Sequence, residues 1–536
     1  MQVISKKVLL SLAISLLLVN ADYALMGLGN AKAQSVIVQA DGKIVIAGTA
    51  DVDNVQQGII ARYNADGTLD NSFNGGSVTT QVGDNAVFND VIQQTDGKLV
   101  VAGTAELSTA QQYFVARYNT DGTLDTNFGY QGISTSVQGQ STTGTAIAQQ
   151  ADGKLVLVGV SAASNFIPRF FTTRLNGNGT IDTSFGLNGV VHTQNGNSAL
   201  ATAVKIQPDG KILVSGTAQT SQMTVRYNSN GTLDITFGNS GVSTVVVGST
   251  SANNTSAVQT DGKIIIGGFA NNDFSLIRLN TNGTLDTTWG TAGRVLTPFP
   301  STSEVHAAVI QSDGKVIAAG YMDNQVALAR YTTTGVLDTT FGATGLITNQ
   351  FGSMSRALGA ALQTDGKLVI AGSTPPNLFV ARHSSTGVMD TSFGTVGVIT
   401  IPTVCDTALC AYAQVYNTAE VNILNNDLFT FNANGAIQNI THDTASSTTD
   451  IILEQDGIYW AVYIIEANSP ANVYLQLNGN IILSSNFVSQ GSAIAVGEAT
   501  FNATAGDVLT VKNISGYDIF LLGGAVNASI TLARIG

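Results

Sequence analysis

The sequence QADGKIVIAG at residues 39–48, continued by IIARYNADGTLDNSF at residues 59–73, is the pattern from which the fold can be predicted. The tripeptide Asp-Gly-Lys within it recurs seven times, at spacings of 55, 56, 57, 52, 52 and 52 residues. Asp-Gly between alternating apolar residues is a strong β-hairpin signal, because both residues tolerate positive φ. The seven tripeptides begin at Asp41, Asp96, Asp152, Asp209, Asp261, Asp313 and Asp365. The sequence therefore predicts seven copies of one short β unit between residues 35 and 402.

Each copy divides into four strand-like runs without helical periodicity. In the first copy these runs are Ser35–Gln39, Lys43–Ala47, Ile59–Tyr63 and Ser77–Val82. A sheet this small cannot bury both faces alone, whereas seven sheets stacked around an axis bury one another. Four antiparallel strands per repeat are typical of a propeller blade. We expect an all-β chain that begins with a seven-bladed β-propeller; an open β-solenoid, which usually has a shorter repeat, is the alternative.

The repeated pattern QxDGKivvaG, followed by RYnxdGtLDtsFGxxG, closely resembles the bacterial delta-60 repeat family. The resemblance covers residues 35–402 in all seven copies. The copies differ in detail, since Trp289 replaces Phe, Ile181 and Met389 replace Leu, and His383 replaces Tyr. The resemblance implies a propeller-like array on an exported bacterial protein. It implies no known activity.

The repeat stops at Pro402, and residues 403–410 read as a linker. Residues 411–536 contain eight or more strand-like runs and the tight turn Asn478-Gly479, which predict a β-sandwich. The stretches EQDGIYWAVYIIEA, VYLQLNGNIIL, AGDVLTVKN and NASITLARIG resemble the C-terminal domain of collagen-like exosporium glycoproteins, which belongs with the tumour-necrosis-factor and complement-type jelly rolls. The resemblance implies a homotrimer. No Gly-X-Y collagen stalk precedes the domain here.

The charge of the chain excludes one large class of partners. The formal net charge is −13, and only 11% of the residues are charged. No basic stripe is present, so the electrostatic attraction that drives nucleic-acid binding is missing. We therefore expect no nucleic-acid partner.

The first residues predict export. Lys6 and Lys7 precede the apolar run Val8–Val19, which is too short to span a bilayer but fits the core of a secretory signal. Small residues allow cleavage after Ala21 or after Ala33, so residues 1–33 are interpreted as signal and leader. No later segment is apolar enough to span a membrane. An uncleaved anchor is the alternative to a secreted or cell-surface protein.

The two cysteines, Cys405 and Cys410, lie close together in the linker. Export would permit a disulfide between them, but a bridge that closes so short a loop would stabilise little. They are equally consistent with two small buried residues.

An arginine and an aspartate recur in every copy. Because a catalytic group breaks the symmetry of a repeat and a scaffold group follows it, we interpret these positions as structural, with ion pairs within or between blades. The positions are Arg62, Asp70, Arg117, Asp125, Arg174, Asp182, Arg226, Asp234, Arg278, Asp286, Arg330, Asp338, Arg382 and Asp390.

No residue pattern predicts catalysis, a cofactor or a metal site. The four histidines lack metal-ligand spacing, and no nucleophile elbow, Walker loop or dinucleotide fingerprint occurs. Asn64, Asp66 and Asp70 suggest calcium, but the twelfth-position Glu is absent and the sixth and seventh copies lose the ligands. A catalytic carboxylate pair in the central channel, drawn from Glu106, Asp273, Glu304 and Asp323, is the weaker alternative.

Propeller ligands usually bind at the loop-lined ends, so we expect binding where the loops differ between copies. These segments are Asp51–Gln57, Glu106–Gln112, Ser161–Arg169 and Phe269–Asp273. The sequence favours an exported, non-enzymatic protein that binds a glycan or a surface protein. A structural coat component and a propeller enzyme acting on polysaccharide are the alternatives. The candidate ligand-binding residues are Glu106, Phe166, Pro168, Arg169, Phe269 and Asp273.

Overall fold

The computed structural model describes residues 31–401, apart from 53–54, 108–109, 136–140, 163–166 and 376, and the backbone of further strands between residues 412 and 534. The chain divides into two compact units, Met1–Thr403 and Val404–Gly536. The leader up to residue 30, Phe166, the linker and its two cysteines, Cys405 and Cys410, lie outside the described residues. No helix among the described residues is both long and apolar enough to cross a bilayer.

The first unit contains seven four-stranded antiparallel sheets, each built from four consecutive strands, which confirms the seven-bladed β-propeller. The first three blades contain β1 (Lys32–Val38), β2 (Ile44–Val52), β3 (Val55–Tyr63) and β4 (Ser77–Thr80); β5 (Asn85–Gln93), β6 (Leu99–Leu107), β7 (Ala110–Tyr118) and β8 (Ile133–Thr135); and β9 (Ser141–Gln149), β10 (Leu155–Ala162), β11 (Pro168–Leu175) and β12 (Val190–Thr193). A single 3-10 turn at Asn74–Gly76 precedes β4.

The last four blades have shorter second and third strands of seven residues each. They contain β13 (Ala199–Ile206), β14 (Ile212–Ala218), β15 (Ser221–Tyr227) and β16 (Val242–Val245); β17 (Ser251–Val258), β18 (Ile264–Ala270), β19 (Asp273–Leu279) and β20 (Arg294–Thr297); β21 (Ser303–Ile310), β22 (Val316–Met322), β23 (Gln325–Tyr331) and β24 (Leu346–Asn349); and β25 (Arg356–Leu362), β26 (Leu368–Thr374), β27 (Asn377–His383) and β28 (Val398–Ile401).

The variable segments prove to be the ends of hairpins more than free loops. In the first blade Asp51 pairs with Gln56 and Val52 with Val55, so β2 and β3 run almost to the turn. In the second blade Glu106 likewise pairs with Gln111. The sequence interpretation missed this because the extra residues lengthen both strands together and leave the pairing intact. The longer hairpins of the first three blades account for their larger repeat spacing.

Each inner strand, the first strand of its blade, carries a β-bulge at the same place. In β13, for example, Ala201 pairs with Gly216 and Ala203 with Ser215, so Thr202 is left unpaired. The glycine opposite the bulge is the last residue of the repeated QxDGKivvaG pattern. A Cβ atom at Gly216 would lie 2.0 Å from the Leu200 carbonyl oxygen. The glycine is therefore required by the bulge, because the displaced carbonyl occupies the space of a side chain.

The ring closes without exchanging strands between the first and last blades. Their seam is apolar, with Ile46 and Tyr63 packed in one core with Val380 and Phe393. Two polar contacts add to the seam. The Gly394 backbone N–H donates to the Asp66 carbonyl over 2.9 Å, and the Arg382 guanidinium donates to the Ala65 carbonyl. Side-chain packing thus replaces the pairing that a shared sheet would supply.

The second unit is also built from antiparallel strands. The strands are β29 (Tyr412–Asn417), β30 (Asn422–Ile423), β31 (Ala433–Gln438), β32 (Ile440–Thr441), β33 (Ile451–Leu453), β34 (Gly457–Ala467), β35 (Asn472–Leu477), β36 (Asn480–Ile481), β37 (Phe487–Val488), β38 (Ala493–Ala503), β39 (Val508–Asn513), β40 (Ile519–Phe520) and β41 (Ala528–Arg534). The main sheets have the strand orders β31-β29-β41-β34-β38 and β32-β33-β39-β35-β36, with β37 paired to β35 and a separate pair β30-β40.

Candidate ligand-binding cavity

The repeated charges form one ion-pair network in every blade. In the first blade Asp70 accepts from the Arg62 Nε at 2.6 Å and lies 3.1 Å from the Lys43 Nζ, while the Ser72 hydroxyl donates to its second oxygen over 2.6 Å. The same Arg–Asp contact recurs in all seven blades between 2.6 and 2.9 Å. Both groups are buried in the first six blades, and in the seventh Arg382 is buried while Asp390 is half-buried, so the network is part of the scaffold.

The repeated arginine also joins neighbouring blades. The Arg62 Nη1 donates to the Thr120 carbonyl of the next blade over 2.7 Å, and its guanidinium lies 4.6 Å from the centre of the Phe73 ring. The other six arginines make the same two contacts with the next blade and with the repeated aromatic residue, which is Trp289 in the fifth copy. The arginine thus pairs within its blade and bonds between blades.

The repeated aspartates make the stability of the propeller depend on pH. Burial alone would raise the pKa of Asp234, but hydrogen bonds from Thr236 and Lys211 and the charge of Arg226 outweigh it and hold the pKa well below its usual range. The pKa is lowered at the other six positions too. A carboxyl with a depressed folded-state pKa stabilises the fold above its unfolded pKa of about 3.9 and loses that contribution as pH falls.

We therefore expect the free energy of unfolding to fall steeply below about pH 4. Each of the seven carboxyls contributes up to about 1.4 kcal/mol per pH unit between its two pKa values. Urea unfolding of the full chain at pH 7, 5, 4 and 3 measures the effect. Equal unfolding midpoints at pH 5 and pH 3 would contradict this prediction, and an Asp234→Asn variant should show a smaller acid dependence than the wild type.

The inner strands enclose a central cavity of about 730 Å³, and all seven contribute to its wall. Aliphatic residues and uncharged hydroxyl and amide side chains make up most of the wall. Its titratable residues include Lys32, Asp90, Lys205 and His306. A cavity of this volume lies within the usual size range of small-ligand sites.

Asp90 breaks the symmetry of the wall, but its oxygens are already engaged. It lies in the register position that Ser35 and Ala146 hold in the flanking blades. The Ser35 hydroxyl and the Ile147 backbone N–H, from those two blades, donate to its oxygens over 2.9 and 3.0 Å. Burial raises the pKa of Asp90, while the Lys205 charge and these bonds oppose the shift. Asp90 thus fastens three inner strands together.

The bulged residues form a second layer of the wall, which we call the bulge ring: Gln34, Asn89, Thr145, Thr202, Asn254, His306 and Leu358. Four members donate to a carbonyl of the next blade over 2.7 to 3.0 Å, starting at Asn89 and ending at Asn254. His306 interrupts this series, because its Nε2 atom is buried and finds no hydrogen-bond partner within the described part of the chain. That nitrogen lies 3.8 Å from Glu304, which accepts from Asn254 and Tyr321.

The predicted ligand-binding residues lie at the hairpin ends of different blades. Glu106 accepts from Asn85, and the Arg169 Nε donates to Ser161 over 3.4 Å. Pro168 pairs with Ala162 in the same hairpin as Arg169. Phe269 pairs with Phe274, and Asp273 with Ala270, in the fifth blade. The structure therefore brings together only neighbours within one hairpin, and Phe166 is outside the described residues.

One of these residues belongs to a small polar cluster in the third blade. The Ser161 hydroxyl lies 3.1 Å from the His192 Nδ1, on the side where Arg169 also contacts Ser161. Burial, together with the positive charge of Arg169, lowers the pKa of His192 to about 4. Ser161 is almost fully buried, so this hydroxyl is closed to a substrate from solvent.

The oxygens considered for calcium are occupied by the turns themselves. Asp66 accepts from the Thr68 backbone N–H and hydroxyl over 2.9 and 2.7 Å, and Asn64 donates to the same hydroxyl. Within the described part of the chain, no three His, Cys, Asp or Glu side chains are placed to hold a metal ion. Two of the carboxylates considered for catalysis lie at different places in the sixth blade. Asp323 accepts a hydrogen bond from the Ser301 hydroxyl at a turn, whereas Glu304 lies on the inner strand β21.

The sequence interpretation missed Asp90, Lys205 and His306 as wall residues. A signal for them was present, because aligning the copies on Asp-Gly-Lys places Lys205 beside Ile37, Ile92 and the other residues four positions before the aspartate. A charge in a column of aliphatic residues departs from the repeat. The sequence alone could not show that side chains at this position line the cavity, because the bulge changes which face of the inner strand they lie on.

Comparisons with known proteins agree with the fold. The family model described as a domain of unknown function (DUF5122) β-propeller matches residues 39–73, 94–128, 150–185, 207–237, 259–288, 311–341 and 363–393. A comparison with curated proteins found no match.

Solved structures similar to this chain include Sqt1 of Chaetomium thermophilum, 12% identical, which covers 70% of this chain and 87% of its own with a TM-score of 0.42. An exo-β-1,3-galactanase of Phanerochaete chrysosporium is 9% identical over 82% of this chain and 94% of its own, with a TM-score of 0.32. The globular domain of zebrafish complement 1qA protein is 14% identical over 24% of this chain and 98% of its own, with a TM-score of 0.20. The seven sheets and the seven matches together show that the first unit is a seven-bladed β-propeller whose repeats match the DUF5122 β-propeller model.

Proposed function

We propose that the protein is an exported, non-enzymatic binding protein, with a ligand in the propeller cavity and residues 411–536 as an assembly domain. The observation that carries this proposal is the cavity of about 730 Å³ whose wall takes residues from all seven inner strands. Thr145, Thr202 and Asn254 use their donors within the wall, and their side-chain oxygens can still accept hydrogen bonds from a ligand rich in hydroxyl groups. A glycan is the ligand class that we favour.

Binding without catalysis is supported by the state of the acidic groups. A general acid or base must reach its substrate with a free oxygen or nitrogen. Asp90 accepts hydrogen bonds from neighbouring inner strands on both oxygens, and Glu304 accepts from Asn254 and Tyr321. Both carboxylates therefore serve the wall of the propeller.

Assembly is supported by the sequence of residues 411–536, which resembles trimeric jelly rolls. Three propellers in one particle would bind a repetitive surface much more tightly than one propeller, because the second and third contacts become intramolecular. A weak site in each cavity would then be sufficient for a protein that coats or attaches to a glycan layer.

Export is supported by the predicted signal, and the structure bears on the point of cleavage. Ala33 is fully buried within β1, where it pairs with Gly48. Cleavage after Ala33 would remove two residues from an inner strand, whereas cleavage after Ala21 leaves that strand complete. We therefore favour Ala21, and the mass of the N-terminal peptide of secreted protein tests it: a mature chain that begins at Gln34 would exclude Ala21.

The test of assembly is the solution mass of the mature chain by light scattering, with and without residues 411–536. We expect a full-length trimer that becomes a monomer on truncation, together with weaker retention on an immobilised polysaccharide. The released reducing ends are measured in parallel. A full-length monomer would refute the assembly domain, and sustained release of reducing ends would refute a non-enzymatic role.

A further inference from the structure

The cavity is more cationic than its surroundings. The chain has a formal net charge of −13, and the repeated lysines and arginines are paired with aspartates. Outside the repeated positions, the described part of the propeller has five cationic residues: Lys32, Arg169, Lys205, Arg294 and Arg356. Two of them, Lys32 and Lys205, line the cavity.

Lys205 is an isolated charge in an aliphatic layer of the wall. The same register position holds Ile37, Ile92, Ala148, Ala257, Val309 and Ala361 in the other six blades. The Lys205 side chain is exposed, and among the described residues it forms no ion pair. A lysine does not stabilise an aliphatic layer, so the scaffold gives no reason for this charge.

Asp90, the carboxylate among the described wall residues, takes its hydrogen bonds from groups other than Lys205. Asp90 accepts its hydrogen bonds from Ser35, Ile147 and Val91, all of which belong to the first three blades. Lys205 belongs to the fourth blade, and its charge acts on Asp90 only through space. The ammonium therefore keeps its hydrogen-bond donors for a ligand.

Groups that bind hydroxyls lie in the layer next to Lys205. Thr202 is three residues away on the same inner strand, and Asn254 and Thr255 follow on the next blade. Further round the bulge ring, the buried His306 Nε2 lies in the cavity wall, 3.8 Å from Glu304 and without a hydrogen-bond partner among the described residues. An unpaired buried nitrogen costs free energy that a ligand hydroxyl or a water molecule would recover.

We infer that the cavity binds the acidic unit of a glycan, a sugar with one carboxylate, and that Lys205 holds this carboxylate. The hydroxyl groups of the sugar then meet Thr202, Asn254 and His306, while the aliphatic residues of the layer cover its carbon face. The positive charges of Lys205 and Lys32 in the wall of an otherwise acidic protein favour an anionic ligand at this site, because anions are repelled elsewhere on the surface. This inference rests on the proposed function and names its ligand.

Calorimetric titration of the full chain with glucuronate and with glucose tests the inference. We expect glucuronate to bind wild-type protein more tightly than glucose does, and to bind less tightly as the salt concentration rises. Lys205→Met keeps the length of the side chain and removes its charge, so glucuronate affinity should fall about ten-fold, towards that of glucose. Arg294→Met is the matched control, since it removes one positive charge outside the cavity and should leave both affinities unchanged.

Three results would overturn the inference: wild-type protein that binds no glucuronate, equal affinities for the two sugars, or a Lys205→Met variant that binds glucuronate as the wild type does. Each is distinguishable from failure of the proposed function. Retention on polysaccharide with equal affinities for the two sugars leaves the binding function standing and removes only the acidic ligand. If the wild-type protein is not retained on polysaccharide, both the proposed binding function and the acidic ligand are refuted.

Discussion

Replacing Asp234 with Asn should lower the free energy of unfolding of the propeller by about 3–5 kcal/mol. The carboxylate contacts the Arg226 Nε at 2.7 Å and the Lys211 Nζ at 3.0 Å, and its removal leaves the buried guanidinium without a counter-charge. The amide oxygen can still accept from the Thr236 backbone N–H and hydroxyl, but the NH₂ group then faces the Arg226 and Lys211 donors. Urea unfolding at pH 7, followed by far-ultraviolet circular dichroism, measures the loss.

The matched control for this variant is Asp209→Asn in the same blade. Asp209 is exposed, and its carboxylate accepts a hydrogen bond from the Lys211 backbone N–H over 3.1 Å. The side-chain oxygen of an asparagine can accept the same bond. We expect a change of less than about 0.5 kcal/mol. If the two variants unfold at the same urea concentration, the Arg–Asp network contributes nothing specific to stability.

Gly216→Ala should cost about 3 kcal/mol, the upper end of the range for overpacking. The added methyl group would lie 2.0 Å from the Leu200 carbonyl oxygen and 2.8 Å from the Ala201 Cα, both backbone atoms that cannot rotate away. The inner strand must therefore shift or lose its bulge. Because Thr202 sits at the bulge, loss of the bulge would also break its bond to the Asn253 carbonyl, which is 3.0 Å long.

Gly177→Ala in the third blade is the control for the glycine substitution. Its Cβ would meet nothing nearer than the Gly153 carbonyl oxygen at 3.6 Å, and Ala65 occupies the same position in the first copy. Alanine there should be neutral or stabilising by a few tenths of a kcal/mol, because it restricts the unfolded chain. Thermal unfolding of both variants gives the comparison, and a Gly216→Ala protein as stable as the wild type would refute the role of the bulge.

The blade count and strand order could be predicted because every copy repeats the same turn residues. Asp41-Gly42 fixes the first hairpin, and the apolar runs beside it fix two strands. The sequence did not reveal that the pattern glycine, such as Gly48, marks a bulge, because a glycine in a strand has several causes. Nor did the sequence show which group the Arg62 Nη1 contacts, because its partner is a backbone carbonyl, which any residue supplies.

The sequence shows which residues depart from the repeat, but only the structure shows which contacts replace the ones that are lost. His383 replaces the repeated tyrosine, and its Nε2 lies 2.9 Å from the Asn349 Oδ1. In the preceding blade Tyr331 instead bonds to Thr297 over 2.6 Å. Both partners of this contact between neighbouring blades thus differ from those of the preceding blade. They lie 34 residues apart in the sequence, so no local pattern reveals that they are in contact. The cavity wall was missed for the same reason, because its members are distant in sequence.

The continuity of each blade along the chain has a consequence for how such a protein can change in evolution. Since no sheet shares strands from two ends of the propeller, one repeat is also one whole blade. A duplicated or deleted stretch of coding sequence therefore adds or removes a complete sheet and leaves every other sheet intact. The width of the central cavity then changes in single steps, and new ligands become accessible without any redesign of the scaffold.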